Sequence, residues 1–141
     1  MSMESIFGVA GSALAAQLVR MNTTASNLAN AGNTANTEDE AYRAKRVVFR
    51  TLVSDAVIGD QTRYAGSIEV ENITDDPTPP VKSFDPGNPS ANDDGYVYQS
   101  NVNEVSEMVE MTAAARSYQN NIEVINTTKQ LMMRTLEAMK A

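Results

Sequence analysis

The sequence predicts a mainly α fold with a small β-rich insertion. Long N- and C-terminal helices form a coiled-coil-like rod domain, with a middle domain of strands and loops between them. Three observations predict this. Residues 102–140 contain neither Gly nor Pro and place apolar residues at three- and four-residue spacing. The first thirty residues repeat apolar and small residues in the same way. All five prolines fall between the two segments, among dense turn signals. The corresponding division assigns residues 1–32 and 101–141 to a discontinuous helical rod core, and 33–100 to an outer β- and loop-rich domain.

In the N-terminal segment the positions Phe7, Gly11, Leu14, Leu18, Met21, Ala25 and Leu28 form a narrow heptad seam. Ser2 is a candidate N-cap, and the helix is expected to end near Asn30 to Gly32. Only Glu4 and Arg20 are charged before Glu38, so this helix does not have the Lys/Glu surface of one facing bulk water. Five asparagines crowd between Asn22 and Asn36. Asparagine competes for backbone hydrogen bonds and is a poor residue for a helix interior, so their presence needs a reason.

The middle segment reads as two strands, 42–53 and 66–73, rich in Val, Ile and Phe with partial alternation. Gly59-Asp60, Asp76-Pro77, Asp85-Pro86-Gly87 and Asp94-Gly95 mark turns around them. Arg43, Lys45, Arg46 and Arg50 read as the polar side of the first strand.

The C-terminal segment carries a longer seam: Met108, Met111, Ala115, Tyr118, Ile122, Ile125, Lys129, Met132, Leu136 and Met139. Only Lys129 interrupts it. A second stripe, Val102, Val105, Val109 and Thr112, lies about 100° around the same helix. Two stripes point to two neighbours, or to one broad face on a single core. Length favours outside cover: residues 102–140 as one helix run about 58 Å, whereas a compact globule of this size is under about 40 Å across. The N-terminal helix can pair antiparallel with part of it, and the rest must bury its seam against other chains.

Chemistry is poorly supported. There is no His and no Cys, which removes the commonest general base, the usual nucleophile–base pairs and most transition-metal sites. Ser90, Asn92, Asp94 and Gly95 follow a calcium loop up to its glycine, but Ser90 replaces the first Asp and Asn101 the bidentate Glu, so a turn is expected. No cofactor, metal, nucleic acid or small-molecule substrate is expected. The formal net charge of −7 argues against phosphate binding in particular. No stretch has the roughly 18 apolar residues of a spanning helix. The N-terminus lacks the basic region of a signal peptide.

Both ends resemble a known family. "AAQLVRMNTTASNLANAGNT" resembles the rod-domain motif of bacterial flagellar axial proteins. "DPGNPSANDDGYVYQSNVNEVSEMVEMTAAARSYQNNIEVINTTKQLMMRTLEAMK" looks like the C-terminal portion of a proximal-rod member. Ser26-Asn27-Leu28-Ala29-Asn30 is paired with Ser117-Tyr118-Gln119-Asn120-Asn121 at the opposite end. Asn88 departs from a common His, and Glu137 to Ala141 extend the usual C-terminus. The resemblance implies a structural, non-enzymatic subunit, exported without a cleaved signal through the flagellar type III apparatus and placed in the periplasm. Its implied partners are copies of itself, other flagellar rod proteins and the basal-body ring at the inner membrane.

On this reading the subunit interface comprises the seam residues Phe7, Leu14, Leu18, Met21, Ala25 and Leu28 with Asn22, Asn27 and Asn30, and Met108, Met111, Ala115, Tyr118, Ile122, Ile125, Met132, Leu136 and Met139. Asn120, Asn121, Thr127 and Thr128 belong to a small, neutral face. It lines the channel of a tubular rod or packs tightly on another helix. A secreted coiled-coil adaptor or effector is the alternative function; it explains the helices but not the paired Asn motifs.

Overall fold

The computed structural model describes residues 3–58 and 61–140; the Ser2 cap and the Gly59-Asp60 turn lie outside them. Within the described residues the chain runs α1 (Met3–Asn30), β1 (Thr34–Ala35), β2 (Lys45–Ile58), β3 (Gln61–Asp75), β4 (Val81–Phe84), β5 (Tyr96–Gln99) and α2 (Glu104–Lys140). Strands β2 and β3 form an antiparallel pair, in register from Lys45↔Asp75 to Ile58↔Gln61 with a bulge between Val48 and Phe49. A second sheet has the order β1-β5-β4, all antiparallel.

Local chemistry sets the helix ends. Asn30 donates its side-chain amide to the Ser26 carbonyl at 2.8 Å, and Asn33 donates to Asn30 Oδ1 at 2.8 Å, closing α1 where its asparagines begin to crowd. Asn103 caps α2 by accepting the Ser106 amide at 3.0 Å. Glu104 and Glu107 occupy the first turn, where the helix dipole favours carboxylates.

The fold class differs from the coiled-coil-like expectation in two ways. First, the β component is not a small insertion with long loops. β2 and β3 are 14 and 15 residues long, so their ladder extends for about 45 Å. Second, α1 and α2 do not pair as a coiled coil through the seam of large apolar residues. They run antiparallel, with Asn27 bonded to Glu107 and Arg20 paired with Glu110. The buried positions of α1 are Ala10, Ala13, Ala16, Thr24 and Asn27, and those of α2 are Glu107, Ala114 and Thr128. These lie about one residue, or 100°, around each helix from the predicted seam. Small residues let the two backbones approach, which leaves the large apolar seam residues half-buried or exposed rather than at the centre of the contact. An alanine methyl contributes under about 1 kcal/mol on burial, so this helix pair is held weakly by its apolar contacts.

The hairpin packs on α1, the Ser12 hydroxyl accepting the Ile68 amide at 3.1 Å. The small sheet lies between the end of α1 and the start of α2, where the Ser100 amide donates to the Asn33 carbonyl at 3.2 Å. Just after it, Asn101 ties the approach to α2 to the segments flanking the hairpin, accepting the Ala44 amide at 2.7 Å and donating to the Thr78 carbonyl at 2.6 Å. The loop before β5 turns at Gly95, whose φ of 80° disfavours a side chain; a Cβ there would lie 2.9 Å from the Phe84 ring. Asn92 Oδ1 accepts the amides of Asp94 and Tyr96 at 3.1 and 2.9 Å, so the calcium-like spelling forms a turn.

Candidate assembly interface

One polar cluster fixes the junction of α1, β2 and α2. Asn27 is 1% exposed and makes four hydrogen bonds. Its Nδ2 donates to the Lys45 carbonyl at 2.9 Å and to Glu107 Oε2 at 3.0 Å, and its Oδ1 accepts the Tyr42 hydroxyl at 3.0 Å and the Lys45 amide at 2.8 Å. Glu107, also 1% exposed, takes a second partner on its other oxygen, Arg46 Nη1 at 2.6 Å. Arg46 in turn reaches Asp76 at 3.3 Å. Burial works to lower the Arg46 pKa, but Glu107 and Asp76 outweigh it and hold the guanidinium above its ordinary value. Hydrogen bonds from Thr78, with help from Arg46, hold the Asp76 carboxyl below the usual range. A buried carboxylate is tolerated here because both oxygens are satisfied.

The basic residues of β2 act as ion-pair donors. Lys45 pairs with Asp75, Arg50 with Glu69 at 3.0 Å, and Arg43, just before the strand, with Glu38 at 3.5 Å. Above Arg46 lies a cleft of about 500 Å³, lined by Arg20, Thr23, Lys45, Phe49, Glu107 and Glu110 among others. Its cations face carboxylates, which leaves no free positive patch for an anion. Among the described residues no group of three or more Asp or Glu is arranged to hold a metal, and no helix is long and apolar enough to cross a membrane.

The structure sorts the sequence-predicted interface residues into three sets. Leu18, Met108, Ile122, Met132, Leu136 and Met139 are exposed, as are Asn22 and Ala25. Phe7, Leu14, Met21, Leu28, Asn30, Met111, Ala115, Tyr118 and Ile125 are half-buried. Asn27 is fully enclosed within its own chain. Of the small neutral face, Asn120 and Thr127 are open, Asn121 is half-buried and Thr128 is buried, its hydroxyl bonded to the Val124 carbonyl at 2.8 Å.

Sequence reasoning missed Glu107 and Arg46 as structural partners. In the sequence Glu107 is indistinguishable from an ordinary first-turn acid, and Arg46 from a solvated strand residue. It also missed the exposed Val124, Leu131 and Met133, which lie off the heptad positions.

An elongated pair of terminal helices with outward-facing apolar residues, and a β-region between them, defines an assembling subunit. Two family models match its two ends. One is described as flagella basal body rod protein and covers residues 7–36; the other is described as flagellar basal body rod FlgEFG protein C-terminal and covers residues 93–138. The chain belongs to the flagellar basal-body rod proteins. Over nearly its whole length it is similar to FlgC proteins of that family. It is 48% identical to flagellar basal-body rod protein FlgC of Yersinia enterocolitica, covering 96% of this chain and 97% of that one. Identity is 46% to FlgC of Salmonella typhimurium over the same shares, and 36% to FlgC of Bacillus subtilis, over 92% of this chain and 93% of the relative.

Proposed function

We propose that this chain is a structural subunit of the proximal rod of the flagellar basal body, polymerising through its terminal helices into a hollow helical drive shaft. Family membership makes it a rod protein. The observation that carries the mode of assembly is the inversion of the helix pair. Small and polar residues meet inside the chain, while Leu18, Met108, Ile122 and Leu136 are left outside. A soluble monomer gains nothing from that arrangement, whereas a helix wedged among neighbouring helices uses it on every side.

The division into a helical core, 1–32 with 101–141, and an outer region, 33–100, follows from the same polarity. The seam residues named from the sequence form the inter-subunit contacts. Asn27 supports them from within by fixing the angle between α1 and the hairpin. The exposed Asn120 and Thr127 suit the wall of the channel, where short neutral groups neither grip a passing chain nor bind it by charge. Export by the flagellar type III apparatus, assembly in the periplasm and contact with other rod proteins and the inner-membrane ring complete the reading. The role is mechanical and non-enzymatic. Deleting the gene and imaging purified basal bodies tests it: rods should be missing and motility lost, both returning with the intact gene. Complete rods in the deletion strain would overturn the proposal.

A further inference from the structure

Sulfur chemistry in this chain belongs to methionine alone. The sequence holds eight methionines and no cysteine, so no thiol competes for an oxidant that meets the folded chain. The fold divides the methionines whose side chains are described. Met21 and Met111 are half-buried on α1 and α2. Met108, Met132, Met133 and Met139 stand out from α2, 56%, 43%, 54% and 79% exposed.

Their placement along α2 matters more than their number. Met108 lies in the second turn, beside Val105 and Val109 in an apolar groove. Met132 and Met139, seven residues apart, share a face of the last turns with the exposed Leu136. Met133 lies about 100° around the helix from Met132, so the set covers more than one side over about 46 Å of length. A thioether at such a position packs as an apolar group. Its sulfoxide is polar and needs a hydrogen-bond donor, which Val105, Val109 and Leu136 do not offer. In the free chain water supplies that bond, so oxidation leaves the fold intact. Against another apolar surface the sulfoxide has no donor and opposes burial.

We infer that Met108, Met132, Met133 and Met139 are oxidation sites of the unassembled chain, and that their sulfoxides block its incorporation into the rod. The oxidant is a peroxide. Each sulfur gives up two electrons and takes one oxygen atom from hydrogen peroxide, whose O–O bond breaks and whose other oxygen leaves as water. The change is reversible, since methionine sulfoxide reductases return the thioether with electrons from thiols. The block rests on the rod-subunit reading, whereas the sites themselves do not. Packing covers the sulfurs, so the vulnerable interval ends at incorporation.

Limiting hydrogen peroxide on the purified full chain, followed by peptide mass spectrometry, tests the sites. The four exposed methionines should take up oxygen about fivefold faster than Met21 and Met111. Equal rates at all six would overturn the assignment and leave the rod role standing. Thermal unfolding of the oxidised chain should match that of the untreated chain; a large loss would place these sulfurs in the chain's own core and overturn the block. In cells given sublethal peroxide, chain made after treatment is isotope-labelled and followed into basal bodies. Sulfoxide at the four positions should be depleted about tenfold there relative to the unassembled labelled chain. Equal sulfoxide in both pools would refute the block. Met108→Leu/Met132→Leu/Met133→Leu/Met139→Leu keeps volume and apolarity, so its rods should form at peroxide doses that stop those of the native chain. Equal sensitivity of the two chains would also refute it. Absence of the native chain from untreated basal bodies would instead remove the rod reading, and the block with it, leaving the mapped sites.

Discussion

At the scale of single residues, the asparagines of α1 divide into those that end the helix and the one that anchors it. Asn30 and Asn33 bond locally around the last turn, whereas Asn27 reaches β2, Tyr42 and Glu107 at once. An amide is required there because it donates to one set of oxygens and accepts from another. Asn27→Asp keeps the shape but removes both donors and sets a carboxylate against Glu107 Oε2, 3.0 Å away in the native chain. We expect a loss of about 2–4 kcal/mol at neutral pH. The two carboxylates would then share a proton and the variant's deficit would shrink toward pH 5. Urea titrations at the two pH values check this, and a deficit independent of pH would show that the charge is relieved by water. The native chain has the ordinary carboxylate dependence. Asp76 is held below its unfolded pKa, so its contribution is present above about pH 3.9 and is lost as pH falls through the folded value. Native-chain stability should therefore decline below about pH 4, measured by the same titration, with Asp76→Asn showing a shallower decline.

At the scale of elements, the helices were legible because both repeat apolar residues at three- and four-residue spacing, and the C-terminal run contains neither Gly nor Pro. Their packing face was not. The reading gave the seam to the largest apolar residues, as a two-stranded coil requires, but close approach of α1 and α2 selects Ala10, Ala13, Ala16 and Ala114 instead. Hydrophobicity in a subunit reports every contact the chain will make, inside and outside, and cannot say which comes from its own partner helix. The strands were located but read short. Residues 54–58 and 61–65 carry Ser, Asp, Gln, Thr and Arg, so they lack an alternating apolar face, yet the ladder continues through them by backbone pairing. The polar site was nearly invisible, since Asn27, Arg46 and Glu107 lie far apart in sequence and each has an ordinary local role. The end of α2, exposed at every described residue from Lys129 to Lys140, gives this scale its own test. A lone helix of about a dozen residues is marginal in water. In dilute monomer, amides from Leu131 to Met139 should exchange at nearly unprotected rates while those from Met111 to Ile125 are slowed. Equal protection along α2 would mean that the end is covered within the monomer.

At the scale of the whole molecule, stability and assembly reside in different residues, and this makes them separable by mutation. The chain's own fold uses small side chains, backbone ladders and the Asn27–Glu107–Arg46 junction, none of which needs Leu18 or Ile122. Those two are 49% and 39% exposed. In the monomer, Leu18→Asp and Ile122→Asp change mainly solvated surface, and each should shift unfolding by no more than about 0.5 kcal/mol. In a packed rod the same carboxylates would be buried beside apolar neighbours without a partner, a cost of several kcal/mol by order of magnitude. That cost recurs at every subunit of a helical polymer, so a defect negligible in one chain should abolish the filament. The measurement pairs thermal unfolding of each purified variant with rod completion and motility in cells producing it. Near-native unfolding together with missing rods is the expected outcome. Normal rods would remove these positions from the interface, while variants that unfold in isolation would place them in the chain's own core.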